Sequence, residues 1–598
     1  MTMRPRAPSA MLACMTSMLI TACGGGGSSD SAAPAPSPTP VPSPSPGPAP
    51  DPAAAFKRTS PDREAYWAQG TGVRPNLLHL LGGGTGGSTV VSLSAGETAW
   101  VRARAAAAGS EGAGALLAKT GGEVRAQAVA VQTRLVTGLY SFIFHNAAAG
   151  TEHHLQDLTT TTVEAIAPNS AGGFDVIAAL PGGVPGRYVI EVPEGPYWAR
   201  LGTRYVWTDQ AFVDWSFDFF GRSTVVSPAL PTRFVVNAGN LAPWQTNDAL
   251  AWVVPQHGYS LAMPLADLST INAPRLGEAA LGAFGFELGP NGLADGLLDS
   301  TKGDFAYINQ LATLPAVQSY GPVRVLARSM VLPPLTTADG STTPVNSGFL
   351  GIAANAKLKL RWQRASFVRY GDAVHPGALP STSFLGVSSF ALPPLYGTPS
   401  DASSLLEFST LGSTDIDFGT LRYGNPFPPD WNRTIDAFVG FTKSYLAPGA
   451  TVSEPLERGV SMSVLIDLAA QDDANVTLLP AVTPPRHPQI NGKTLFANQL
   501  GVGTTPLLSW TAPEVGVAQR YFLRILELLP DGTRSRLRRV ATLTTAETKV
   551  TLPPGLLSPG HQYVITIAAM STSSPVTQPN RSSLPFAFAT TMSAIVSP

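Results

Sequence analysis

Five residues with metal-ligating side chains crowd one short stretch: His145, Glu152, His153, His154 and Asp157. Imidazole nitrogens and carboxylate oxygens hold zinc when several converge on one point. The stretch reads as a surface loop following a strand from Tyr140 to Phe144. His153 and His154, adjacent on an extended chain, point to opposite sides. At most one of them joins His145, so no metal is expected here. Two further acidic groups lie among glycines, Asp295 with Asp299 and Asp304, and Asp415 with Asp417 before Gly419. Oxygen-rich loops of this kind bind calcium, but neither has the twelve-residue spacing closed by glutamate. Ordinary turn chemistry accounts for them, and no cofactor is expected.

Nucleophile patterns are missing. The chain has no Gly-x-Ser-x-Gly, no His-Glu-x-x-His and no dinucleotide fingerprint opening a helix. Asn491-Gly492-Lys493-Thr494 imitates the end of a phosphate loop, but His487 stands where its first glycine belongs. Glycoside hydrolysis needs only two carboxylates about 5 to 10 Å apart in space, which sequence spacing does not decide. A hydrolase therefore stays as the rival reading. Arg534, Arg536 and Arg538 alternate, so a strand gathers them on one face with Arg539 beside them. Guanidinium groups so placed bind phosphates or sulfated and carboxylated sugars. The plainer readings are a charged edge strand or docking onto the chain's own acidic body. From Phe212 to Phe220, Val213, Trp215, Phe217 and Phe219 share one face, with Asp214 and Asp218 on the other. That aromatic face reads as core, its rival being a sugar-stacking platform.

These residues must be positioned by strands. Of 598 residues, 58 are Gly and 55 Pro, and only 13% are charged, against roughly 25% in ordinary soluble chains. Turns are frequent and long charged helices absent. Lys+Arg 39 against Asp+Glu 40 excludes a global nucleic-acid-binding charge, so no nucleic acid is expected. Past residue 22 no apolar run reaches the ~18 residues of a membrane-spanning helix, excluding a multi-span helical membrane protein.

Residues 1–22 carry Arg4 and Arg6, no acid, then an apolar stretch from Met11, the order of a secretory signal. The segment ends Leu19-Ile20-Thr21-Ala22-Cys23, which resembles the lipobox of bacterial lipoproteins. That resemblance implies cleavage before Cys23 and acylation of Cys23, including palmitate, so the membrane is a partner through a lipid anchor. Gly24 resembles the sorting pattern for the cell outer membrane, with the periplasmic or surface side left open. Cys14 and Cys23 are the only cysteines. The mature chain then has neither a disulfide nor a cysteine nucleophile. From Pro34 to Pro52 every even position is Pro, a composition that favours polyproline II and spans about 60 Å. It forms a stalk or spacer.

Toward the C-terminus, Pro506–Pro513, Arg520–Glu527 and Gln562–Ala568 alternate as half-buried strands, and Asp531-Gly532 marks a hairpin turn. Trp510, Tyr521 and the corner Leu557-Ser-Pro-Gly-His-Gln-Tyr563 resemble a fibronectin type III domain. The resemblance implies a structural core of Trp510, Tyr521, Leu557 and Tyr563, the last bonding its hydroxyl back to main chain. Residues 484–598 hold ten Lys/Arg against four Asp/Glu. The run Gly172–Val192 resembles carboxypeptidase-regulatory-like sandwiches, while the centre of the chain resembles no named family. Short helices are expected after Ser60-Pro61-Asp62 and at Ser404-Leu-Leu-Glu407, which has capping-box spacing.

The expected architecture is all-β: multidomain β-sandwiches, few short helices, and a fibronectin type III-like C-terminal sandwich. The expected divisions are 1–22 signal peptide, 23–55 acylated Cys and Pro-rich disordered stalk, 56–200 a β-sandwich, 201–333 and 334–483 two β-rich domains, and 484–598 the fibronectin-like domain. The favoured function is a lipid-anchored envelope or surface protein that binds or scaffolds without catalysis, its partner an envelope polysaccharide or another envelope protein. The rivals are a secreted carbohydrate-active hydrolase with an accessory C-terminal domain, and a structural spacer subunit.

Overall fold

A computed structural model describes residues 132–598, apart from 147–149, 183, 264, 266–269, 290–291, 294, 315–320, 391–402, 429–430, 451–454, 470–472 and 533. The signal, Cys23, the stalk and the helix expected after Ser60 lie outside the described residues. Those residues form an all-β protein, with one-turn α-helices at Ala365–Val368 and Gly371–Val374. Period-two patterning explains the strands. In Ala356–Trp362, Leu358, Leu360 and Trp362 are buried while Lys359 and Arg361 face water.

Three sandwiches share one topology. In each, an opening strand (Thr133–Leu139, Thr232–Gly239, Ala356–Trp362) lies between two partners. One is antiparallel (Arg187–Pro193, Leu281–Leu288, Ile416–Tyr423), the other a parallel closing strand (Phe212–Asp214, Thr342–Gly348, Asp473–Leu478). The opposing sheet is a hairpin plus two strands. In the first sandwich these are Val163–Pro168, Phe174–Ala178, Tyr197–Leu201 and Arg204–Thr208. The second uses Ala249–Val254, Tyr259–Ala262, Tyr307–Thr313 and Val323–Val331. The third uses Leu379–Phe390, Ser403–Thr410, Asn432–Tyr445 and Leu456–Ala469. The closing strands carry the first two sandwiches past the divisions expected at 200 and 333, because a parallel partner for the opening strand comes only after the whole facing sheet has formed.

The C-terminal module sets Arg486–Ile490, Leu507–Thr511 and Lys549–Thr551 against Arg520–Asp531, Arg534–Thr545, Tyr563–Ser571 and Phe586–Met592. This three-on-four arrangement is fibronectin type III-like. Neighbouring sandwiches join edge to edge. Val323–Val331 pairs with Ser403–Thr410, Leu456–Ala469 with Phe586–Met592, and Arg534–Thr545 runs parallel to Arg204–Thr208. One hydrogen-bonded sheet thus crosses all four modules and satisfies edges that would otherwise invite association.

Three local expectations are corrected. Ser404–Glu407 is strand, since Leu405, Leu406 and Phe408 are buried between strands on both sides, which outweighs a local cap. The stretch holding His145 to His154 is a hairpin, Ser141–Asn146 with Gly150–Leu155, rather than a loop. Phe212–Phe220 breaks at Trp215 and Ser216 into two strands that pair with different sheets.

Candidate functional site

In the C-terminal module, Trp510 meets Tyr521 edge to face at 5.1 Å, and Leu557 is buried with them. The Tyr563 hydroxyl accepts the Ser558 N–H at 2.9 Å, closing the corner. Arg534, Arg536 and Arg538 are exposed on one face of their strand. That stripe is locally compensated. Arg538 donates to the buried Glu527, which also takes His561 Nδ1, and Arg534 stands opposite Asp531 in register. Burial raises the Glu527 carboxyl, but the hydrogen bonds from His561 and Arg538 outweigh it and hold the group below its ordinary range. Arg539 parts from the other three. It stands opposite Leu526, one residue along from the Glu527–Arg538 pair, so it faces the other side of the sheet.

The histidine-rich hairpin does not gather a metal site. His145 and His153 share a face, while exposed His154 pairs with Glu152 at 3.2 Å. Asp157 accepts the Thr159 N–H and hydroxyl, as in a turn. His145 Nε2 lies 2.8 Å from Asp218 Oδ1 in a buried cluster completed by Arg581. The Arg581 guanidinium reaches Asp218 Oδ2 at 2.7 Å and Asp214 Oδ2 at 3.0 Å. Burial, then the charges of His145 and Arg581, push His153 below its ordinary value. Arg581 comes from the connection between the last two strands of the C-terminal module. Arg520, itself buried, holds that connection by donating to the carbonyls of Gln578 and Arg581 and to Ser582 Oγ. Nothing in the sequence joins Arg581 to Asp214, 367 positions away.

The aspartates divide similarly. Asp299 caps the turn Ser300–Lys302 and pairs with Lys302. Asp415 accepts the Ala365 N–H at the start of a short helix. Asp417 takes the Gly419 N–H, at a glycine with φ +62°, and pairs with Arg361. Asp295 and Asp304 flank His257 from either side, Nδ1 to Asp295 at 2.7 Å and Nε2 to Asp304 at 3.0 Å. Trp252 Nε1 donates to Asp295 at 2.6 Å, and Arg222 forks onto Asp304 at 2.8 and 2.6 Å. His257 carried no recognisable sequence signal. Among the described residues no group of three His, Cys, Asp or Glu is placed to hold a metal ion.

Features expected of a sugar hydrolase are displaced. Trp215, Trp244 and Trp431 are buried, so their rings form core rather than a platform. Phe217 and Phe219 pack on Phe142 in the aromatic sheet beside the first sandwich. Asp436 is raised to about 7 by burial, but its partner is the Ser463 hydroxyl rather than a second carboxylate. A crevice of about 330 Å³ lies between the first and last modules, with Phe174 and Trp207 in its wall and Asn169 and Lys549 beside them. Asn169 is consumed by the turn that follows it, accepting from Ala171 and Gly173.

No family model matches the chain, and no curated protein matches it. Among solved structures, similarity is found to the chicken CNTN1 FN1-FN3 domains (9% identity, 62% of this chain, 100% of that one, TM-score 0.12). A tetra-tandem repeat from the extending region of a large adhesion protein is similar at 13% identity, over 77% of this chain and 100% of that one, with TM-score 0.10. The native conformation of E. coli alpha-2-macroglobulin is similar at 8% identity, over 79% of this chain and 40% of that one, with TM-score 0.09.

Proposed function

We propose that this chain is a lipid-anchored protein of the bacterial cell envelope, held at the outer membrane through Cys23, whose stacked sandwiches bind or organise envelope components without catalysis. The observation that carries the non-catalytic part is the use made of its reactive side chains. Asp214 and Asp218 are spent on Arg581, with His145 on Asp218, and His257, Asp295 and Asp304 are spent on one another and Arg222. Both sets are buried ion clusters that tie strands and modules together. Edge-to-edge sheet pairing adds the rigidity a scaffold needs. The anchor rests on the resemblance of residues 19–23 to a lipobox.

The test has two arms. Replacing Cys23→Ser should move the protein from the membrane fraction to the soluble fraction, and unchanged membrane retention would refute the anchor. Incubation with envelope polysaccharides and a panel of glycoside substrates should give binding without turnover. Product formation that survives purification to homogeneity would refute the non-catalytic role.

A further inference from the structure

Three arginines from two modules share the face of the shared sheet that turns away from Trp510, and a fourth, Arg458 of the third sandwich, lies close enough for its charge to act on Arg524. Thr542 has Arg524 as its Cα partner on one side and Arg204 on the other, so these two arginines flank it in a single row across three strands. Adjacent strands lie about 4.8 Å apart, which sets the two backbones roughly 10 Å from each other. A bulge at Val540 brings Arg539 opposite Leu526, the next residue along that face. Arg539 is exposed, whereas Arg204 and Arg524 are half-buried. Arg458, half-buried in Leu456–Ala469, is the fourth, and its buried Nε has no hydrogen-bond partner.

The surroundings are aromatic rather than acidic. The Arg204 guanidinium lies 4.2 Å from the Phe217 ring centroid and that of Arg524 5.4 Å from Phe522. Tyr140 bonds Arg204, and Tyr445 lies by Arg458 while donating its hydroxyl to the Ser593 carbonyl. Burial depresses Arg204, Arg458 and Arg524; the charge of Arg539 adds to this on Arg204, and those of Arg458 and Arg539 on Arg524. Among the described residues no carboxylate acts on Arg204, Arg458 or Arg524. Three cations elsewhere differ: Arg222 and Arg581 each hold carboxylates, and Arg520 holds main-chain carbonyls.

Like charges drawn from water without a counterion repel one another, and the planar forks of guanidinium groups match oxyanions. We propose that Arg204, Arg458, Arg524 and Arg539 form a binding site for a multiply charged phosphate group at the junction of the first, third and C-terminal sandwiches. A single carboxylate would leave most of the four charges uncompensated, whereas a phosphomonoester or pyrophosphate supplies two or more. The anion bridges three modules, so its occupancy reinforces their junction. This inference deepens the binding role proposed above and rests on it, naming the chemistry of what is bound.

Thermal unfolding of the full chain in non-ionic detergent tests it, with sodium pyrophosphate titrated against sodium chloride at matched ionic strength. Pyrophosphate should raise the unfolding temperature above the chloride control. Arg539→Gln, at an exposed position, should raise the unliganded unfolding temperature less than Arg524→Gln does, since it too relieves repulsion on Arg204 and Arg524, and should weaken the apparent affinity about tenfold, as loss of a charge-assisted hydrogen bond implies. Arg524→Gln should abolish the response and, by relieving repulsion, raise the unliganded midpoint. The same titration with glucose 1-phosphate and with vesicles of phosphatidic acid in phosphatidylcholine, both phosphomonoesters, identifies the source, and a response to either supports the site. Equal midpoints in pyrophosphate and chloride, or an undiminished response in both variants, would overturn it. An absent response with the chain still in the membrane fraction overturns the site alone. A response that persists when the chain is found soluble supports the site while removing the anchored role.

Discussion

His257 offers the most direct test of how buried charge stabilises this molecule. Both ring nitrogens face carboxylates, Asp295 and Asp304, so the ring is an imidazolium that donates twice. Burial alone would drive its pKa down, but the hydrogen bonds and charges of the two aspartates outweigh it and raise the group to about 9. The ordinary value is near 6.5 and each unit is worth about 1.4 kcal/mol, so protonation in the folded state contributes about 3 kcal/mol. Because the folded value is the higher one, this stabilisation is complete below pH ~6.5 and disappears as pH rises through about 9. Replacing His257→Gln removes the charge and leaves two buried aspartates short of a partner, a loss of about 3 to 5 kcal/mol at pH 6. Urea unfolding followed by tryptophan fluorescence suits the question, since Trp252 donates directly to Asp295. The gap between wild type and variant should narrow by about 3 kcal/mol between pH 6 and pH 10. Taking the difference between the chains cancels the lysines and tyrosines that titrate in both. A gap of the same size at both pH values would refute the reasoning.

Other sites give independent checks. Arg581→Gln should leave Asp214 without its cation and Asp218 with His145 alone, cost about 3 to 5 kcal/mol, and loosen the docking of the C-terminal module, read as faster hydrogen exchange in 212–220 and 575–582. Tyr563→Phe should cost about 1 kcal/mol through loss of the bond from the Ser558 N–H, measured as a lower urea midpoint with unchanged slope. Burial raises Asp436 to about 7, so its ionisation weakens the fold progressively as pH climbs from about 4 through 7. Asp436→Asn should therefore be more stable than wild type at pH 8 and no more stable at pH 4, with a temperature-melt series across that range as the measurement.

The C-terminal module was legible because its strands alternate cleanly and its marker residues are local: Trp510, Tyr521 and the corner ending at Tyr563 lie within some fifty positions. The threefold topology of the preceding sandwiches was not, because it needs only alternation and turns in the right order. Equivalent strands vary from five residues at Tyr197–Leu201 to fourteen at Asn432–Tyr445, so no residue repeat survives for alignment. The arginine stripe was legible as a stripe, but one bulge and the one-residue alternation of a strand put Arg539 on the other face, where its charge acts on Arg524 and on Arg204, from a strand 335 positions earlier.

By itself the amino-acid order determined what is local: strand rather than helix, the fibronectin-like end, the absence of nucleophile motifs, and the lipobox-like start. The partners of each charge were decided only by tertiary structure. A carboxylate's role follows from what lies within a few ångströms of it in a medium of low polarity, and Asp214 meets Arg581, as Arg204 meets Arg539, only when separate sandwiches dock. Sheet pairing between modules is likewise set by backbone groups that every residue carries, so no side-chain pattern announces it.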